Sequence, residues 1–130
     1  MITTEDMAVI IARDLRSFDM EIYTKDHIPF KDIEQNGRIV IIPKADDTGT
    51  YNNKCFVEVN FMFPDVHEEA DYRLDRIERD AYSLFKNYKA GEYEGQWYNI
   101  TYSRRSRENN TQLKSHYVHF QLLFETLNTL

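Results

Sequence analysis

The chain has 130 residues, with 16 lysines and arginines against 22 aspartates and glutamates, for a formal net charge of −6. That acidic balance excludes broad binding to phosphate backbones through counterion release. A hydrophobic content of 42%, with 14% aromatic residues, excludes a disordered chain and predicts one packed α+β domain over residues 1–130.

The first element is a helix. Thr3 or Thr4 supplies an N-cap, and Glu5 and Asp6 place acids in the first turn, where the helix dipole favours them. Met7, Ile10, Ile11, Leu15 and Phe18 then recur at helical spacing, so the helix is predicted to run to about Phe18 against a sheet. Met20 to Lys25 reads as a short strand, Ile28-Pro29 with Phe30 as an extended turn, and Asn36-Gly37 as a second turn.

Ile39 to Ile42 is a continuous β-branched run. It predicts a central strand covered on both faces and ended by Pro43, with a second layer or a neighbouring subunit as the cover. Lys44 to Asn53 is polar and rich in turn formers, and reads as a hairpin loop of about ten residues, longer than the common two to five. Lys44, Asp46, Asp47, Tyr51 and Asn53 are candidate contact residues there, because loops of that length usually meet a partner.

Cys55, Val57, Val59, Phe61 and Phe63 occupy every second position, which makes one face of a strand apolar throughout. Cys55 is therefore read as a small buried hydrophobe, and as the lone cysteine it forms no internal disulfide. Ala70, Leu74, Ile77, Ala81, Leu84, Phe85 and Tyr88 continue the pattern at helical spacing over His67 to Tyr88. The opposite face carries Arg73, Arg76, Glu78 and Arg79, and these arginines are further candidate contacts. Ala90-Gly91 reads as a helix stop and Gly95 as a turn.

Two alternating strands close the chain, one through Tyr98, Ile100 and Tyr102, the other through Val118, Phe120, Leu122 and Phe124. The stretch from Arg104 to Ser115 is read as a basic loop between them, with Arg104, Arg105 and Arg107 as candidate contacts for a partner or for nucleic acid. The sum is an α+β fold with a mixed or antiparallel sheet of about four to five strands and two helices packed on it.

Catalytic and metal-binding patterns were weighed against this scaffold. His67 with Glu68, Glu69 and Asp71 lacks the HExxH spacing of a zinc helix, and acids at a helix start are its simpler reading. His116 and His119, three apart on a strand, point to opposite faces. Asp46, Asp47 and Asn53 miss the calcium-loop spacing, no phosphate-binding glycine motif occurs, and His27 stands near no nucleophile at an interpretable spacing. No catalytic residue, metal or cofactor is assigned. The N-terminus lacks a basic start before an apolar stretch, which predicts a soluble, unexported protein.

The element order, with the strand KCFVEVNFMF, the helix RLDRIERDAYSLF and the last strand HYVHFQLLFETL, resembles the tail terminator and tail-completion proteins of long-tailed bacteriophages and related head-tail connector rings. The resemblance implies a tail-terminator-like fold and a non-enzymatic virion subunit that assembles in the host cytoplasm. It further implies a homo-oligomeric ring, most commonly a hexamer, which contacts other tail or connector proteins and lets DNA pass its lumen without specific binding. The alternative is a small adaptor or nucleic-acid-contacting module that uses the basic stretch 104–115.

Overall fold

Alternating apolar residues and two amphipathic helices assemble as a six-stranded sheet with both helices on one face. The computed structural model describes residues 1–44, 53–65, 67–87, 89–112 and 114–127; the side chains of 67–71 and 89 lie outside that description. Helix α1 (Thr4–Leu15) is followed by a 3₁₀ turn (Arg16–Phe18) and strand β1 (Glu21–Thr24). Then come β2 (Arg38–Lys44), β3 (Lys54–Pro64), helix α2 (His67–Phe85), β4 (Lys89–Tyr93), β5 (Gln96–Asn110) and β6 (Ser115–Thr126).

The start of α1 is fixed by a capping box. The Thr3 hydroxyl accepts from the Asp6 amide at 3.1 Å, and the Asp6 carboxylate accepts from the Thr3 amide at 2.9 Å. Two end donors are thereby satisfied reciprocally. The predicted stripe follows, with Met7, Ile10, Ile11 and Leu15 buried.

The strand order is β1-β2-β3-β6-β5-β4. β1 pairs parallel to β2, and every other neighbouring pair is antiparallel. The sheet is therefore mixed, and six strands exceed the four to five expected. β3 and β6 occupy the centre, so the Ile39 to Ile42 strand, predicted to be central, lies one place in from the edge.

A parallel pair needs a crossover. Here residues 25–37 cross the sheet face opposite the helices and set Ile33 against Val40 and Met62. The second face of β2 is thus covered by its own chain, where a second layer or a neighbouring subunit was expected.

The main core fills the helix face. Ile39, Ile41, Val57, Val59, Phe61, Val118, Phe120, Leu122 and Phe124 meet Met7, Ile10, Ile11 and Leu15 from α1 and Leu74, Ala81 and Phe85 from α2. Cys55 joins them at 4% exposure, and burial pushes its thiol pKa up, which leaves it a poor nucleophile.

Two segments read as loop or stop are strands. Ala90-Gly91 lies within β4, where Gly91 stands opposite Tyr98; a Cβ on Gly91 would come within 2.5 Å of the Tyr98 hydroxyl. Glu94 and Gly95, at φ 49° and 85°, make the left-handed turn that joins β4 to β5. The supposed basic loop from Arg104 is the distal part of β5, paired with β6 as far as Asn110. Only residues 111–114 separate those two strands.

Gly37 enters β2 at φ 84°, and a Cβ there would sit 2.7 Å from Phe63 and 2.8 Å from the Met62 carbonyl. Gly37→Ala is expected to cost about 2 kcal/mol, from left-handed strain and the backbone clash together, read as a lower urea midpoint with unchanged slope.

Candidate interaction surface

A one-residue irregularity in β5 decides where the arginines point. Tyr98, Ile100 and Tyr102 face the helices, opposite Thr126, Phe124 and Leu122. Unbroken alternation would then bring Arg104 and Ser106 to that face. The register shifts between Tyr102 and Arg104, so that Arg105 stands opposite Phe120 and Arg107 opposite Val118. A bulge of this kind re-aims side chains. It places Arg105 and Arg107 under α2 and leaves Arg104 on the other face.

Both guanidinium groups meet acids on α2. Arg105 Nε donates to Glu78 at 2.9 Å, Arg107 Nε donates to the other Glu78 oxygen at 2.7 Å, and Arg107 Nη2 donates to Asp75 at 3.1 Å. Arg105 also lies 4.4 Å from the centre of the Tyr82 ring and donates to the Tyr102 hydroxyl at 3.0 Å. Burial alone would raise the Glu78 carboxyl, but the hydrogen bonds from Arg107 and Arg105 outweigh it and hold its pKa below the usual value. Those same bonds raise both arginines. The cluster ties α2 to the outer strand of the sheet.

Glu78→Gln is expected to lower stability by about 1 kcal/mol, because both arginines are more than a third exposed and solvent screens the pair. A depressed carboxylate contributes above its ordinary range and stops contributing as pH falls. The difference between wild type and Glu78→Gln should therefore shrink on acidification, as read from urea midpoints.

The remaining candidates are dispersed. Lys44 pairs with Glu58 at 3.5 Å and Arg79 with Asp75 at 3.1 Å, both on the surface. The Asn53 carbonyl accepts from the Thr126 amide at 2.8 Å, an end pairing of the sheet. Asp46, Asp47 and Tyr51 lie outside the described residues, as do the side chains of His67, Glu68, Glu69 and Asp71. His116 meets Asp65 on the helix side, while His119 Nδ1 lies 2.7 Å from Asn60 Oδ1 on the other, so the two histidines do face apart. No group of three metal-ligating side chains occurs among the described residues.

Arg73 and Arg76 border a groove between residues 17–20, which join α1 to β1, and α2. Its cavity volume is about 430 Å³, and Phe18, Met20, Phe63 and Ile77 supply its apolar wall. Arg73 spans it, donating to the Gln35 carbonyl at 2.5 Å with its guanidinium 4.7 Å from the Phe63 ring centre, while its Nε is buried with no hydrogen-bond partner among the described residues.

Two residues that the sequence reading passed over stand out. Arg38 is buried beneath the crossover, where its guanidinium donates to Glu34 at 2.8 and 3.2 Å and to the carbonyls of Asp32 and Lys31 at 2.9 and 3.3 Å. Phe30, on the same crossover, is fully exposed beside half-exposed Ile28. A charged residue opening an apolar strand was the available sign of the first; an aromatic after proline in a turn was the sign of the second.

No protein-family profile and no curated protein matches the chain. One solved structure is similar over 95% of this chain and 96% of its own, with 12% identity and a TM-score of 0.56; its name is a serial label that carries no functional word. Likeness at that identity establishes a common fold and leaves activity open.

Proposed function

We propose that the chain is a non-enzymatic virion structural protein, a tail terminator or head-tail connector subunit that forms a ring at the junction of phage tail and head. One observation carries this reading. A single mixed sheet carries both helices on one face, and beyond Ile100 the outer side of β5 has no strand partner among the described residues. An open strand edge of that length is a surface on which subunits meet. The net charge of −6 suits a lumen that DNA crosses without sticking.

The nucleic-acid reading loses support from the engagement of Arg105 and Arg107 with Glu78 and Asp75. Guanidinium groups committed to carboxylates are less available to phosphate. For the ring, native mass spectrometry and negative-stain microscopy of the purified protein are expected to show closed assemblies of a fixed number of copies. A single copy at every concentration would overturn the reading.

A further inference from the structure

We infer that the groove bordered by Arg73 and Arg76 receives the Ile28-Pro29-Phe30 tip of a second copy of this chain, with Phe30 as the anchor. This rests on the ring reading only in taking a second copy as partner. Phe30 is fully exposed on a turn whose next two residues, Lys31 and Asp32, are tied through their carbonyls to Arg38. An apolar ring displayed on a fixed turn loses little freedom on docking.

The groove offers what that ring lacks. Its volume of about 430 Å³ falls in the range of sites that enclose small apolar groups. Phe18, Met20, Phe63 and Ile77 give it an apolar side, and Arg73, already over the Phe63 ring, presents a guanidinium plane on which a second aromatic ring can stack. Asp19, Arg76 and Asp80 stand at its border, and the tip carries Lys25, Asp26, Lys31 and Asp32, all of them exposed. Lys25, and Lys31 beside its own Glu34 at 3.4 Å, can face Asp19 and Asp80 while the aspartates of the tip face Arg76.

Position within the fold agrees. The groove adjoins the residues that lead into β1 and the tip follows its end, so the two flank opposite ends of that edge strand. They are separate patches, and each copy therefore offers one tip and one groove.

The test compares wild type, Phe30→Asp and Arg76→Glu by native mass spectrometry and analytical ultracentrifugation, with circular dichroism as the control for folding. Phe30 touches no core residue, so its variant should fold as wild type does. Both variants are expected to weaken assembly by about 30-fold or more, the effect of losing a central anchor. A photo-reactive phenylalanine analogue at position 30 should cross-link to residues 17–20 or 73–80 of another copy, identified from mixed isotope-labelled chains.

Assemblies that persist unchanged in Phe30→Asp, or cross-links elsewhere, would overturn the docking while leaving the ring reading intact. A wild-type pair of copies that Phe30→Asp separates would uphold the docking and overturn the ring. A wild-type chain single at every concentration would remove both.

Discussion

Phe61→Ala is expected to lower unfolding free energy by about 4 kcal/mol, a large part of the stability of a small domain. Phe61 is fully buried at the centre of β3. Its ring lies 5.4 Å from Phe18, 6.4 Å from Phe85 and 5.7 Å from Phe120. Those three come from the turn after α1, the end of α2 and the neighbouring strand β6. Truncation therefore removes a side chain that packs against both helical segments and the neighbouring central strand.

Collapse around the resulting cavity is opposed, because the rings of Phe85 and Phe120 are already packed edge to face at 5.2 Å. Phe61→Leu, which keeps most of the volume, should cost about 1.5 kcal/mol or less. Urea denaturation of both variants checks the pair. Equal losses would mean that the position does not depend on filled volume.

The core was legible in the sequence because its period is unbroken. Every second residue from 55 to 63 is apolar and buried, and Met7 to Leu15 keep helical spacing behind a capped start. Burial on one face imposes that pattern, so the pattern reports the face. β4 had no such signal. Its five residues include Gly91, which is small for the sake of the Tyr98 ring, and a glycine after alanine looks like a helix stop.

The far half of β5 was illegible for a different reason. Most of its residues from Ser103 to Asn109 are exposed, so no apolar alternation marks it; backbone pairing to β6 makes it a strand. The contact surface suffered likewise. Arg105 and Arg107 were singled out as basic residues, yet their partners Glu78 and Asp75 lie on a helix 27 to 32 positions away and reach them through a bulge. Sequence alone carries neither the distance nor the shift in register.

Arg38 joins the same lesson to the last large effect. Arg38→Met is expected to cost about 3 kcal/mol and to make stability far less sensitive to acid. The side chain is 2% exposed and fastens the crossover to the sheet through Glu34 and two carbonyls, with the Tyr23 ring 5.2 Å from its guanidinium carbon. Removing it leaves Glu34, itself only 19% exposed, with the more exposed Lys31 at 3.4 Å as its cation, and frees Ile33 from its place against Val40 and Met62.

Burial alone would raise the Glu34 carboxyl, but hydrogen bonds from Arg38 and Tyr23 prevail and hold it at about 2. Because the folded value lies below the unfolded one, the contribution is complete above about pH 4.5 and disappears as pH falls toward 2. It amounts to about 3 kcal/mol, of which the Met variant keeps only the part that Tyr23 and the backbone supply. Urea midpoints at neutral pH and at pH 3 should therefore differ markedly in wild type and much less in Arg38→Met. Parallel loss in both would place the acid sensitivity elsewhere in the molecule, with Glu78 on α2 the next carboxylate to replace.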